Sequence, residues 1–184
     1  MRVITGKSKG KKLIAPKGLH TRPTSDKVKE SIFDILGYIK DNSQVLDLYA
    51  GSGGIGIEFL SRGANICYFI DNDLNSIRAI KENLERTRFT SQAQVYKNSA
   101  EKAVCILGSK GIIFDYIFLD PPYEKGILVP ILEKIDQNKI LSEEGILIVE
   151  HESKLVLPEN INGLVKKDSR KYGGTAITFY NYGR

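Results

Sequence analysis

The chain has 184 residues, of which 41% are hydrophobic and 27% are charged, and its formal net charge is +5. This length suits one domain with a sizeable core. No apolar run approaches the roughly 18 residues of a membrane span, and the charged N-terminus lacks the apolar centre of a secretory signal. Cys67 and Cys105 each lie in an apolar stretch. They predict buried thiols in a reducing cytoplasm, with neither a disulfide nor a metal site.

The excess positive charge lies in the first segment of the chain. Residues 1–22 contain seven Lys or Arg and no Asp or Glu, whereas the remaining residues contain 20 basic and 22 acidic side chains. Residues 2–4 and 12–14 predict a short hairpin around a glycine-rich turn. Such an arm favours a clamp for phosphates, and a solvated tail is the alternative. We therefore predict a basic arm over residues 1–24 and a main domain over residues 25–184.

The main domain begins with a helix and continues with alternating strands and helices. Ser25 or Asp26 can cap the first helix, and Gly37 can end it. Short apolar runs predict strands over residues 44–49, 66–71, 93–97, 113–120 and 146–150, and the segments between them predict helices over 54–62, 74–86, 100–107 and 128–138. This rhythm is typical of a parallel sheet covered on both faces. Residues 164–168 and 175–180 predict a hairpin, so an antiparallel strand closes the sheet.

The segment VLDLYAGSGGIGIEF predicts a cofactor loop between the first strand and the next helix. Its glycines allow a ligand to approach the backbone, and the helix start supplies free N–H groups. Asp71, at the end of the second strand, can accept hydrogen bonds from a ribose. The spacing of Gly51, Gly53 and Gly56 also fits a nicotinamide dinucleotide site. Asp47 favours S-adenosylmethionine, because a carboxylate repels a pyrophosphate but can bind an α-ammonium group directly or through water.

The segment FLDPPYEKG places an acid, two prolines and an aromatic ring after the fourth strand. The Asp120 carboxylate and the Pro121 carbonyl can hold the two N–H bonds of an exocyclic amine and direct its lone pair at a methyl sulfonium. Tyr123 can stack on a base that has left its helix. The alternative is an ordinary strand-to-loop turn. Ser99 or the N–H of Ala100 can contact the adenine of the cofactor, although Ser99 also fits a helix cap.

These motifs together resemble the class I S-adenosylmethionine-dependent methyltransferases that methylate amines and carry [ND]PP[YFW]. More closely, the chain is similar to the RsmD-type bacterial 16S ribosomal RNA guanine-N2 methyltransferases. The resemblance spans nearly the whole chain, through RVITGKSKGKKLIAPKG, TRPTSDKVKESIFDIL, LDLYAGSGGIGIEFLSRGA, FIDND, FLDPPYEKG and RKYGGTAITFY. The block RPTSDKVKESIFDIL is the most specific of them, because DPPY occurs in DNA, RNA and protein methyltransferases.

The resemblance implies a Rossmann-like α/β fold with a seven-stranded, mostly parallel sheet and an antiparallel C-terminal strand. It implies methylation of a guanine N2 amine in 16S rRNA of the small ribosomal subunit, with S-adenosylmethionine as cofactor and no metal, and we expect a monomer. The candidate residues are Asp120, Pro121 and Tyr123 for catalysis; Asp47, Tyr49, Gly51, Gly53, Gly56, Asp71, Ser99 and Ala100 for the cofactor; and Arg22, Thr24, Lys7, Lys9, Lys11, Lys12, Arg170 and Tyr172 for the substrate.

Two other functions stay open at this point. A DNA adenine-N6 or cytosine-N4 methyltransferase would use the same acid-and-proline corner, although the chain leaves no room for a separate domain that reads a DNA sequence. A non-catalytic RNA-binding assembly factor would retain the fold without the reaction. The second alternative predicts that Asp120→Ala leaves the biological activity intact.

Overall fold

The computed structural model describes residues 1–17, 25–122 and 126–183. Three candidate site residues, Arg22, Thr24 and Tyr123, lie outside these ranges. The helices are α1 (Asp26–Leu36), α2 (Gly54–Ser61), α3 (Leu74–Thr87), α4 (Ala100–Ser109) and α5 (Leu128–Gln137). The strands are β1 (Gln44–Leu48), β2 (Ile66–Asp71), β3 (Ala93–Lys97), β4 (Phe114–Leu119), β5 (Leu141–Glu152), β6 (Asn160–Ile161), β7 (Leu164–Tyr172) and β8 (Thr175–Tyr182).

Within the described ranges, the strands form one eight-stranded sheet in the order β3-β2-β1-β4-β5-β8-β7-β6. Strands β1 to β5 pair in parallel, whereas β8 pairs antiparallel with both β5 and β7. The predicted mostly parallel sheet with an antiparallel C-terminal strand is therefore confirmed. The eighth strand is β6, which has two residues and pairs with the start of β7. A strand of two residues has no alternation in its sequence, so the pattern did not indicate it.

The helices cover both faces of the sheet. A core that includes residues of α1, α2 and α3 lies on one face, and a core that includes residues of α4 and α5 lies on the other. The chain moves from β1 outward to β3 and then returns to place β4 on the other side of β1. Because crossover connections between parallel strands are right-handed, this reversal puts the later helices on the opposite face. The reversal between β1 and β4 is also where such sheets bind ligands.

The two cysteines differ in their exposure. Cys67 on β2 is buried, as predicted, whereas Cys105 on α4 is exposed, so the prediction for Cys105 was wrong. Helix α4 turns Ala100, Ala103, Val104 and Leu107 toward the core, and Cys105 lies on its other side. No helix within the described parts of the chain is long and apolar enough to cross a membrane.

The N-terminal segment, residues 1–17, is docked on the domain. The predicted hairpin is present as a single antiparallel bridge between Arg2 and Lys12. Val3 and Leu13 are buried in the same core as α1, α2 and α3. The segment is therefore part of the folded unit, and its division from the rest of the chain at residue 24 stays a prediction.

A buried carboxylate fastens this segment to two helices. Glu58 on α2 is fully buried and accepts hydrogen bonds from the backbone N–H groups of Ile4 at 2.8 Å and Thr5 at 3.0 Å. Its oxygens also lie 3.6 Å from Nζ of Lys29 on α1 and 2.9 Å from Nε of Arg62. Burial lowers the pKa of Lys29. Breaking such a network at one partner leaves a buried charge uncompensated, which typically costs about 3–5 kcal/mol.

Candidate active site

The glycine loop, residues 49–54, connects β1 to α2 at the carboxyl edge of the sheet. Gly51 and Gly53 adopt φ angles of 56° and 76°, which glycine tolerates much better than other residues. Gly56, in the first turn of α2, approaches β2 closely, because a Cβ atom added there would lie 2.3 Å from the Phe69 ring and 2.7 Å from Sγ of Cys67. The loop therefore requires glycine at each of these three positions for backbone or packing reasons.

Asp47 holds the start of α2 from within the sheet. Its Oδ2 accepts a hydrogen bond from the N–H of Gly56 at 2.9 Å, in a helix whose N-cap, Gly53, has no side chain to do so. Asp47 is only 1% exposed, and this burial raises its pKa to about 8, with a smaller contribution from Asp71. The carboxyl group is thus largely protonated at neutral pH until a positive group approaches it.

Asp71 holds the other side of the glycine loop. Its Oδ2 accepts from the N–H of Gly51 at 2.8 Å, and its Oδ1 accepts from the N–H of Asp73 at 2.9 Å. Partial burial raises the pKa of Asp71. Each carboxylate oxygen can accept more than one hydrogen bond, so these contacts leave capacity for ribose hydroxyls. The two acids predicted to bind a cofactor therefore also shape its loop.

Asp120, the residue after β4, and Glu150, near the end of β5, lie side by side on neighbouring strands. Leu119 on β4 pairs in parallel with Val149 on β5, so the next residue on each chain is at the same level. Both carboxyl groups are on the face of Asp47, because Asp47 is opposite Phe118 and side chains two residues apart share a face. Burial raises the pKa of Asp120 well above its ordinary value, and the charges of Glu150 and then Asp47 add to the effect.

The chain leaves β4 through Asp120, Pro121 and Pro122, as the motif predicted. Pro121 is buried and Pro122 is exposed. Neither proline has an N–H group, so this corner offers carbonyl acceptors without competing backbone donors. Tyr123 lies outside the described residues, and its stacking on a base stays a prediction.

The remaining cofactor candidates lie around the same edge. Tyr49 has a φ of 59°, an uncommon value for a residue other than glycine, and burial followed by the charge of Glu101 raises the pKa of its hydroxyl to about 12. Ser99 caps α4, because its Oγ accepts from the N–H of Lys102 at 3.4 Å, and Ala100 begins that helix in a buried position. The capping role of Ser99 is thus present, while contact with adenine stays a prediction.

Three of the four predicted lysines of the N-terminal segment, Lys7, Lys9 and Lys11, lie away from this edge. The N–H of Lys7 donates to the carbonyl of Ser61 at the end of α2, and Nζ of Lys11 donates to the carbonyl of Arg86 near the end of α3. Helix α2 starts at the glycine loop, and its eight residues span about 12 Å at 1.5 Å each. The turn carrying Lys7 and Lys9 is therefore at the opposite end of α2. Lys12 is exposed and pairs with Arg2, the neighbour of Met1, whose sulfur lies 3.5 Å from Oγ of Ser52 in the glycine loop. Binding of RNA by these four lysines stays a prediction.

Two substrate candidates of the C-terminal hairpin lie at the edge that carries Asp120. Glu150 is opposite Ile177 on β8, which is opposite Arg170 on β7. Two strand spacings of about 4.8 Å therefore separate the backbones at Glu150 and Arg170. Nε of Arg170 donates to Asp168 at 2.8 Å, and half-buried Tyr172 packs against the core. Their contact with RNA stays a prediction, as do the roles of Arg22 and Thr24, which lie outside the described residues.

The sequence reasoning missed one acid of this site. Glu150 is only 5% exposed, and no motif in the sequence marked it as part of the site. Its position after the apolar run ILIV, in the strand that follows the DPPY corner, was the available signal, because consecutive parallel strands end at one edge. Within residues 1–17, 25–122 and 126–183, no group of three or more His, Cys, Asp or Glu is arranged to hold a metal.

Comparison with known proteins gives matches over nearly the whole chain. The family model described as "Conserved hypothetical protein 95" matches residues 1–181. The "Putative rRNA methyltransferase YlbH" of Bacillus subtilis is 46% identical over 98% of both chains. The "Ribosomal RNA small subunit methyltransferase D" of Escherichia coli K12 is 34% identical over 86% of this chain and 78% of that protein. The solved structure of "Putative methyltransferase yhhF" from Escherichia coli has a TM-score of 0.86 and 31% identity, covering 99% of this chain and 97% of that one.

Proposed function

We infer, from the membership of this chain in the family described as Conserved hypothetical protein 95, that the protein is an S-adenosylmethionine-dependent rRNA methyltransferase. We further propose that it methylates the exocyclic N2 amine of a guanine in 16S rRNA. The Escherichia coli relative named for methylation of small subunit ribosomal RNA supports this substrate, and the Bacillus subtilis relative named as a putative rRNA methyltransferase supports rRNA more generally; both matches cover most of this chain. A substrate of this kind also supports a location in the cytoplasm.

One observation carries the proposal. The Asp120 carboxyl group and the glycine loop lie at the same edge of the sheet, on the adjacent strands β4 and β1, and Asp120 shares a face with Asp47. The charge of Asp47 contributes to the raised pKa of Asp120, so the two groups are within electrostatic reach of each other. An amine held at Asp120 would therefore lie beside a cofactor held by the loop.

The residues around the loop fit S-adenosylmethionine better than a dinucleotide. Asp71 retains acceptor capacity for a ribose, and Asp47 is a protonated acid that an ammonium group would convert to a carboxylate. A pyrophosphate near Asp47 would instead oppose that ionisation. When bound, S-adenosylmethionine supplies an electrophilic methyl group on a sulfonium.

The acid-and-proline corner fits the orientation of a planar amine. The lone pair of an exocyclic nucleobase amine is delocalised into the ring, so the nitrogen must become tetrahedral before it can form a bond to carbon. In that geometry, the Asp120 carboxylate and the Pro121 carbonyl can each accept a hydrogen bond from one of the two N–H groups of the amine. Pro122 offers no competing N–H group. This orientation lowers the barrier without requiring a strong base.

Asp120 is also suited to take the proton that the methylated nitrogen must lose. Burial, Glu150 and Asp47 raise its pKa, so its ionised form is a stronger proton acceptor than an ordinary aspartate. Only the ionised form of Asp120 can accept this proton. Because the ionised fraction grows as the pH rises toward the pKa of Asp120, the reaction should become faster over that range.

Methyl transfer to small ribosomal subunits tests this proposal. Subunits from cells that lack the protein would be incubated with methyl-labelled S-adenosylmethionine and the wild-type protein, Asp120→Asn or Asp115→Asn. Asp115 lies on the same strand at the opposite end, where its Oδ2 accepts from the N–H of Gln44, a contact that an asparagine oxygen can keep. We expect Asp120→Asn to lose at least about a hundredfold in rate, as when an enzyme loses one stabilising polar group, and Asp115→Asn to remain active. Labelling of duplex DNA but not of the subunits would contradict the proposal.

A further inference from the structure

Asn83 on α3 joins three parts of the chain by hydrogen bonds. Its Oδ1 accepts from the N–H of Ile14 at 2.8 Å, and its Nδ2 donates to the carbonyl of Ile14 at 3.0 Å. The second N–H bond of Nδ2 donates to the carbonyl of Ser52 at 2.9 Å. Asn83 is fully buried, so both donors of its amide are used inside the protein. The N-terminal segment and the glycine loop are thus connected through one side chain.

On the loop side, Asn83 supplies a constraint that the two acids do not. Asp71 orients the N–H of Gly51, and Asp47 orients the N–H of Gly56. Ser52 lies between two glycines of positive φ, and its carbonyl is oriented by Asn83. A glycine-rich loop has many accessible conformations, so each such constraint reduces the entropy lost when a ligand orders the loop.

On the other side, the N-terminal segment contacts the loop directly as well as through Asn83. Sδ of Met1 lies 3.5 Å from Oγ of Ser52, and a Cβ atom added to Gly54 would lie 2.8 Å from the same sulfur. The segment is held in this place by the burial of Val3 and Leu13. Its docking therefore fixes the position of Ile14, whose backbone N–H and carbonyl groups bind Asn83.

We propose that Asn83 is a positioning residue for the cofactor: it transmits the docked position of the N-terminal segment to the glycine loop and so raises the affinity of that loop for S-adenosylmethionine. This inference rests on the proposed function, in which the loop holds that cofactor. Without the amide, the Ser52 carbonyl and both backbone polar groups of Ile14 lose their partner, and the loop can adopt other conformations.

Calorimetric binding of S-adenosylhomocysteine, the demethylated cofactor, tests the inference without requiring methyl transfer. The variants are Asn83→Ala and, as a matched control, Ser8→Ala. Oγ of Ser8 donates to the carbonyl of Thr87 at 2.9 Å, so Ser8 anchors the same segment to the same helix but does not contact the loop. A third variant, Ile14→Pro, removes the N–H that donates to Oδ1 of Asn83 and leaves Asn83 and its hydrogen bond to Ser52 in place. It provides the test if Asn83→Ala does not fold.

We expect Asn83→Ala to weaken binding about tenfold and Ile14→Pro to weaken it by a smaller factor, whereas Ser8→Ala stays within about twofold of the wild type. A merely structural role would lower the stability of all three variants without this difference in affinity.

If Asn83→Ala folds and binds as tightly as the wild type, the inference is overturned and the proposed function is not. If Asn83→Ala does not fold, the same conclusion follows from a wild-type affinity of Ile14→Pro. Equal weakening by Ser8→Ala would lead to the same conclusion. Absence of binding by the wild-type protein would overturn the proposed function and this inference with it.

Discussion

Replacing Asp47 by asparagine should stabilise the cofactor-free protein while weakening its binding of S-adenosylmethionine. Asp47 is 1% exposed, and burial raises its pKa from 3.8 to about 8. The folded state therefore binds this proton more tightly than the unfolded state. The stability that depends on the bound proton is fully present below about pH 4 and is lost progressively as the pH rises toward about 8. Asparagine carries no ionisable group and keeps an oxygen for the N–H of Gly56.

The change in the free energy of unfolding follows from the shift in the pKa of Asp47. One pH unit between the two pKa values corresponds to about 1.4 kcal/mol for one proton. The free energy of unfolding of Asp47→Asn, minus that of the wild type, should therefore grow by about 3 kcal/mol between about pH 5 and about pH 7. An ammonium group beside Asp47 favours its ionised form, so cofactor binding to the wild type should release a proton and become tighter over the same interval.

Urea denaturation of both proteins without cofactor, repeated across this interval, measures the difference. A difference that stays constant with pH would exclude the raised pKa of Asp47, because it would mean that Asp47 has the same proton affinity in the folded and unfolded states. Calorimetry in buffers of different ionisation enthalpy measures the released proton. Only the wild type should release it, since the asparagine variant has no proton at this position to lose.

Substitutions of Gly56, Glu150 and Arg170 test other parts of the site. Gly56→Ala should lower the free energy of unfolding by about 1–3 kcal/mol, because the new Cβ would lie 2.3 Å from the Phe69 ring; a urea denaturation curve identical to that of the wild type would contradict this. Glu150→Gln should shift the rise of the pH–rate profile to lower pH, because removal of its charge lowers the pKa of Asp120; a profile shifted upward or unmoved would exclude the coupling. Arg170→Ala should reduce the slope of log affinity for rRNA against log salt by about one, whereas an unchanged slope would remove Arg170 from the RNA-binding surface.

Much of the fold could be predicted because its signals are local in sequence. Ser25 caps α1 and Gly37, with a φ of 65°, ends it, as their residue types indicated. The strand β4 was predicted within one residue at each end, since apolar runs and prolines mark its limits. The start of β5 was missed: residues 141–145 contain Ser, two Glu and a Gly, and they extend the strand only because its neighbour β4 supplies a partner at Phe114.

The residues of the candidate site could be predicted where a single motif identifies the residue and also indicates where it lies in the sheet. Asp47, Asp71 and Asp120 each lie within one residue of the end of a strand, beside a recognisable turn, so their common edge followed from the parallel order of the strands. Glu150 and Asn83 gave no such signal. The role of Glu150 depends on β5 being the neighbour of β4, and that of Asn83 depends on contacts with residues 31 and 69 positions away. Such contacts belong to the tertiary structure and leave no periodic pattern in the sequence.

Nucleoside mass mapping of 16S rRNA shows whether the corner at Asp120 directs the methyl group of the cofactor to a guanine N2 amine. Subunits from cells lacking the protein would be treated with S-adenosylmethionine and the purified protein, and the rRNA would then be digested and sequenced by mass. We expect N2-methylguanosine at one position with the wild-type protein, and none after the same incubation with Asp120→Asn. A methyl group on another base or on a ring nitrogen, or labelling that persists in the Asp120→Asn variant, would contradict this expectation.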